Sequence, residues 1–213
     1  MVETFRIVAT DAGPGRLHLT TAAEPTAVLV LGGGHSGQIA TVDLDALAAA
    51  LPERGVAVAR YELPWRVAGR SAGPRPPASD PLWNAGVDAV RDEFSGLPLL
   101  TGGRSAGARI ACRTWTPAVA GVVALSFPLH PPGRPDASRL AELTPVAAPV
   151  LLVSGARDPF GSPDELGAAL ASDHAGEREL VIVLGATHSF PRPTASTVVD
   201  AVAAFVGRLA PTR

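Results

Sequence analysis

The chain contains no lysine: all 18 of its basic residues are arginine. That excludes a lysine Schiff base, a phosphate-binding P-loop lysine and a Ser-Lys dyad. Cysteine is nearly absent too. Cys112 stands alone among 213 residues, so neither an internal disulfide nor a multi-cysteine metal site can form. No apolar run exceeds strand length. Stretches such as 27–31 and 180–184 fall far short of the roughly 18 residues of a membrane span. The first residues, Met1-Val2-Glu3-Thr4-Phe5-Arg6, lack a basic segment followed by an apolar one. No secretory signal is therefore expected, and the cytoplasm is the expected compartment. A formal net charge of −2 and a pI near 6.2 leave no basic footprint for nucleic acid.

Glycine (22) and proline (21) are plentiful, and they punctuate a repeating pattern. Short strands are expected at 4–10 and 16–21, joined by the turn Asp11-Ala12-Gly13-Pro14-Gly15. The apolar run 27–31 reads as a strand buried on both faces of a parallel sheet. A helix is predicted over 38–51, with Leu44, Leu47 and Leu51 on one face, then a strand over 56–62. Residues 64–81 carry five prolines and read as an ordered surface loop, with a helix at 82–94 to follow. Further strands are expected at 97–101, 119–127, 149–154 and 180–184, the last taken as a central strand. Helices are expected at 108–115 and 163–174, and a closing helix carries Val199, Val202, Val206 and Leu209. The order predicts one α/β domain over 1–213, with a mostly parallel central sheet and helices on both faces. No long helical insertion follows strand 119–127, so no lid domain is expected and any site should be open.

Five residues between the apolar run 97–101 and the helix that follows carry the most information: Gly103-Arg104-Ser105-Ala106-Gly107. A G-x-S-x-G between strand and helix resembles the nucleophile elbow of an α/β-hydrolase. Its turn forces the serine into a strained backbone, and its flanks pack too closely for larger side chains. The motif also arises by chance in glycine-rich chains, so it needs partners. A serine nucleophile requires a base within hydrogen-bond reach and an acid to orient that base. In this fold the chain order is Ser, Asp or Glu, then His, each at a strand's carboxyl end. Asp158 follows strand 149–154, and His188 follows strand 180–184. Asp164 competes with Asp158, but it sits at a predicted helix start, where the helix dipole explains a carboxylate.

An oxyanion hole would draw one N–H from Ala106 and a second from the loop Gly32-Gly33-Gly34-His35-Ser36-Gly37. Gly34 is the preferred donor, with Gly33 and His35 as alternatives. The same loop supports a rival reading. Gly32, Gly34 and Gly37 match G-x-G-x-x-G, and Glu62 ends the next strand, where a ribose-binding acid of a dinucleotide fold would stand. Two strands precede this one, however, and that reading leaves Ser105, Asp158 and His188 unexplained.

The likeness extends beyond the triad. Gly102 to Gly107, Phe127-Pro128-Leu129-His130-Pro131-Pro132-Gly133-Arg134-Pro135, Ser154-Gly155-Ala156-Arg157-Asp158-Pro159-Phe160-Gly161 and Gly185-Ala186-Thr187-His188-Ser189-Phe190 together resemble small, lidless α/β-hydrolases near the dienelactone-hydrolase branch. More closely, they resemble a group that includes the hydrolase-like domain of a chromatin-complex subunit. The chain reads Gly32-Gly33 where that group carries His-Gly, and serine where dienelactone hydrolase uses cysteine. The resemblance implies a serine hydrolase acting on a small carboxylic ester or thioester, with no cofactor and no metal. Arg104, His35 and His130 become candidate substrate contacts, the alternatives being a solvent-exposed Arg104 and a His130 packed among the loop's prolines. Cys112 reads as a small core residue; Trp65 and Trp83 flank the first proline loop and read as ordinary packing, with a pocket wall as the alternative. A hydrolase-like scaffold without activity is the alternative.

Overall fold

A computed structural model describes residues 2–171 and 175–210. Eight strands form one sheet: β1 (Thr4–Val8), β2 (Gly15–Thr20), β3 (Ala27–Gly32), β4 (Val56–Glu62), β5 (Leu99–Arg104), β6 (Gly121–Leu125), β7 (Val150–Gly155) and β8 (Arg178–Val183). Their spatial order is β1-β2-β4-β3-β5-β6-β7-β8. The first two strands form a hairpin, and β2 runs antiparallel to β4; every later pairing is parallel.

Strand alternation builds two cores. Val28 and Val30 of β3 point to one face with Ala57, Ala59, Val122, Ala124, Val150 and Leu152. Leu29 and Leu31 point to the other with Val58, Val123, Leu125, Leu151 and Val153. Side chains of a strand face opposite ways in turn, so these central strands are apolar throughout, as a sheet covered on both sides requires. The first face is covered by α3 (Asp80–Glu93) through Trp83, Val87 and Val90, and by α4 (Ala106–Arg113) through Ile110, Ala111 and Cys112. The second is covered by α1 (Val42–Ala50) through Leu44 and Leu47, and by α7 (Ala195–Leu209) through Val198, Val202, Phe205 and Val206. Shorter helices complete the chain: α2 (Pro64–Val67), α5 (Leu140–Leu143) and α6 (Pro163–Leu170). No helix among the described residues is long and apolar enough to cross a membrane.

The α/β-hydrolase architecture expected from the sequence is present, with several boundaries moved. The helix expected from residue 38 starts only at Val42, because Gly37 at φ +69° turns back on Gly34 and Thr41 is extended at φ −133°. Residues 64–81 are not all loop. Pro64 begins α2 and Pro81 lies in the first turn of α3, positions where a missing N–H costs nothing. The helix after the elbow begins at Ala106, directly beyond Ser105. The strand expected as central near 180–184 is instead the edge strand β8. Among the described residues it pairs with β7 alone, and Leu184 beyond it is 80% exposed. The helix expected over 163–174 runs to Leu170 as α6, and residues 172–174 lie outside the described ones. Between β6 and β7 the connection carries only the four-residue α5, so among the described residues no lid domain follows β6.

The elbow fixes where β5 and α4 sit against β3. A Cβ on Gly107 would stand 2.4 Å from the Gly32 carbonyl oxygen, and one on Gly103 would meet the same oxygen at 2.4 Å. At Gly167, on α6, a Cβ would meet nothing within 4 Å. Gly107→Ala should therefore lower stability by about 1–3 kcal/mol, the usual cost of overpacking. Gly167→Ala should raise it by up to about 1 kcal/mol through helix propensity. Paired thermal or urea unfolding curves check the opposite signs.

Candidate active site

Ser105 stands between β5 and α4 at φ +54°, ψ −108°, a backbone region that L-residues seldom occupy. Its N–H donates to the Leu125 carbonyl at 2.9 Å, which ties the turn to the end of β6. The strained turn holds the hydroxyl above the sheet's carboxyl edge. Asp158 lies in the turn after β7, where its N–H donates to the Gly155 carbonyl at 3.1 Å. His188 lies in the loop after β8.

The three side chains form a continuous hydrogen-bond chain. Ser105 Oγ and His188 Nε2 are 2.9 Å apart. His188 Nδ1 is 2.8 Å from Asp158 Oδ2 and 3.0 Å from Oδ1. Acceptance by the carboxylate places the proton of a neutral imidazole on Nδ1 and leaves the Nε2 lone pair facing the hydroxyl. The Asp158 side chain is 1% exposed and that of His188 20%. The Phe160 N–H donates to Asp158 Oδ1 at 2.9 Å. The Phe160 ring also packs on the imidazole, with centroids 4.2 Å apart. Phe160 thus holds both Asp158 and His188, a role no periodicity in the sequence signals. Asp164, the competing acid, is the second residue of α6, behind a Ser162–Glu165 capping box.

Two cavities meet at the elbow. An open cleft of about 600 Å³ exposes Ser105 and His188 and is walled by residues including His35, Arg109, Arg139 and Phe160. A smaller cavity of about 130 Å³ adjoins it, lined by Leu63, Trp65, Pro74, Pro76 and Ile110 among others. Gly34, His35, Ala106 and Arg109 border both. Ala106 opens α4, so its N–H is among those an α-helix leaves without an internal acceptor. A Cβ built on Gly34 would lie 3.9 Å from Ser105 Cβ, whereas one on Gly33 would collide with the Gln38 carbonyl oxygen at 2.4 Å. Gly34 therefore flanks the serine, and Gly33 is packed within its own loop.

The candidate substrate contacts fare differently. His35 is exposed and borders the cleft. His130 does not: its side chain is 7% exposed, with Nδ1 2.8 Å from the Pro131 carbonyl and Nε2 3.3 Å from Glu165. Its own N–H donates to the Phe160 carbonyl at 3.0 Å, so it fastens the Asp158 loop from behind rather than facing the cleft. Arg104 borders the cleft but its Nη2 is engaged within the protein: it bonds the His188 carbonyl at 2.7 Å and Ser189 Oγ at 2.5 Å. Trp83 is fully buried in the core, while Trp65 lines the smaller cavity.

Glu62, the would-be ribose acid, is occupied by Arg16, His18 and Arg66, all within 3.8 Å. Among the described residues no cluster of three or more His, Cys, Asp or Glu could hold a metal ion.

The sequence profile described as "Alpha/beta hydrolase domain" matches residues 25–204. The chain belongs to that family. Solved α/β-hydrolase structures agree in fold over nearly their whole length. A serine hydrolase without a lid from Xanthomonas campestris has a TM-score of 0.78 at 21% identity, with 99% of this chain and 96% of that one covered. Dienelactone hydrolase from Anabaena variabilis has a TM-score of 0.79 at 19% identity, with 99% of each chain covered. An α/β serine hydrolase homologue from Coxiella burnetii has a TM-score of 0.74 at 21% identity, with 98% of this chain and 97% of that one covered. No curated protein matches the chain significantly.

Cys112, seven residues along from Ser105 in this α/β-hydrolase, is buried, and burial pushes its thiol up to about 12. Only a thiolate reacts readily. A disulfide reagent at pH 8 should find no thiol in the folded protein and one per chain after denaturation.

Proposed function

We propose that the protein is a serine hydrolase cleaving a small carboxylic ester or thioester. The observation that carries this reading is the unbroken chain from Ser105 Oγ through His188 to the buried Asp158, with links of 2.9 and 2.8 Å. A nucleophile, a base and an orienter at hydrogen-bond distance are what acyl transfer requires. Ser105 Oγ attacks the scissile carbonyl as His188 Nε2 takes its proton. Asp158 holds the imidazole by Nδ1–H and stabilises the imidazolium that forms. The N–H groups of Ala106 and Gly34 receive the tetrahedral oxyanion, the first aided by the positive end of α4. The imidazolium then protonates the departing alcohol or thiol. Water, activated by the same histidine, releases the carboxylic acid and restores Ser105.

The two cavities suggest how such a substrate is held. The 600 Å³ cleft lies within the range of small-molecule sites and opens to solvent, which suits the leaving group. The 130 Å³ cavity is slightly smaller than the engineered 150 Å³ cavity that takes up benzene; its Leu63, Trp65 and Ile110 walls suit a short acyl chain, with Arg75, Arg109 and Arg113 also bordering it. Turnover of p-nitrophenyl esters should therefore peak at short acyl groups and fall steeply beyond about benzene size. A series from acetate to laurate measures this, and a rise with chain length would contradict the cavity assignment.

A fluorophosphonate probe tests the nucleophile. It should label the wild type at Ser105 and leave Ser105→Ala unlabelled. Asp158→Asn should cost roughly 10⁴-fold in kcat, as loss of the correct tautomer does in a serine protease triad. Well-folded protein that neither reacts with the probe nor turns over short esters would favour the non-catalytic scaffold.

A further inference from the structure

Arg104 precedes the proposed nucleophile, yet its side chain reaches three other parts of the molecule. Its Nη2 donates to the His188 carbonyl oxygen at 2.7 Å and to Ser189 Oγ at 2.5 Å. Its Nε lies 3.5 Å from Asp43 Oδ2, in the first turn of α1. A Cβ on Gly34 would stand 3.7 Å from Arg104 Nη1, so the guanidinium also lies against the proposed oxyanion loop. The Arg104 side chain is 16% exposed and that of Asp43 only 2%. Asp43 Oδ2 has no hydrogen-bond partner of its own. A buried carboxylate in that position is tolerated only beside a cation, and Arg104 is the cation beside it.

The loop it grips is pinned on either side of His188, by buried Ala186, whose carbonyl accepts from the Arg157 N–H at 3.1 Å, and by buried Phe190, but the His188 carbonyl itself is held by Arg104. After β8 the chain passes through the exposed Leu184 and Gly185 at φ +80° before reaching His188. The Asp158 carboxylate orients the imidazole but does not touch the His188 backbone. We infer that Arg104 is a positioning residue: its guanidinium, anchored on the buried carboxylate of Asp43, clamps the backbone of His188 so that Nε2 stays within reach of Ser105 Oγ. One arginine thus links the strand that carries the proposed nucleophile to the loop that carries the proposed base. The planar fork suits this work, because Nη2 can serve two acceptors while Nε faces a third; a lysine ammonium has no such fixed geometry.

The inference rests on the Ser105–His188–Asp158 reading, and its test separates the two. Arg104→Gln should lower kcat on a short p-nitrophenyl ester roughly 10- to 100-fold, the scale of a misplaced catalytic group, with KM changed less than threefold. Arg104→Lys should fall between. Guanidinium ion added to Arg104→Ala, well below denaturing concentration, should restore part of kcat. Asp43→Asn should weaken the clamp from its far end. The double variant Arg104→Gln/Asp43→Asn should be no slower than Arg104→Gln alone, because the two residues act through one contact. A KM rise at constant kcat would make Arg104 a substrate contact and overturn the inference, as would additive losses. Amide hydrogen exchange supplies a readout independent of turnover. Arg104→Gln should speed exchange across residues 186–190 with the β3–β7 amides unaltered. Unchanged protection there would overturn the clamp even if Ser105 is not a nucleophile, whereas absent probe labelling with faster exchange would reject the function and keep the clamp.

Discussion

The contact on which this architecture turns is the approach of the β5–α4 turn to the end of β3. Gly103 pairs in register with Gly32, and Gly107 packs across the same carbonyl. With hydrogens in place of side chains at 103 and 107, α4 starts immediately after Ser105 and lies close over the sheet. That proximity forces the positive φ at Ser105, a strain of about 1–3 kcal/mol. The surrounding parallel ladder, apolar on both faces, supplies the rigidity that sustains it. A nucleophile-like hydroxyl raised above the sheet, a helix N-terminus beside it and a glycine loop opposite are then consequences of one close approach.

Much of this was legible because strand ends are legible. Apolar runs bounded by glycine and proline locate β3, β5, β6 and β7, and a parallel sheet gathers their carboxyl ends along one edge. Ser105, Asp158 and His188 meet because each follows such a run. The hidden parts depend on angle rather than on order. Nothing in Phe127 to Pro135 tells whether His130 turns toward the cleft or behind the Asp158 loop; its Glu165 partner lies on α6, far along the chain. Nor does G-R-S-A-G show that Arg104 folds back onto Asp43 and the His188 carbonyl. The late start of α1 went unread for a related reason. A leucine stripe marks a helix's buried face, not its first turn, and Gly37 ends its loop on a positive φ that leaves no trace in hydropathy.

Charge in this chain is placed with the same economy. Arg104 and Asp43 neutralise each other under the glycine loop, and Arg109 forms a two-bond fork with Glu142 on α5. These arginines border the cleft yet bond to carbonyl, hydroxyl and carboxylate groups of the protein, so they stiffen its walls. A chain without lysine suits that use, since each guanidinium holds its geometry and its charge at every physiological pH.

The missing lid bears on what happens after acylation. Enzymes that close over an intermediate can choose between water and another acceptor by admitting one and excluding the other. Here the only helix in the connection between β6 and β7 is the four-residue α5, and that connection walls the open 600 Å³ cleft with Pro128 and Arg139. An acyl group held at Ser105 would face bulk water from the moment the alcohol leaves. At that concentration of water, transfer to another alcohol would have to rely on a binding site that holds the alcohol beside Ser105.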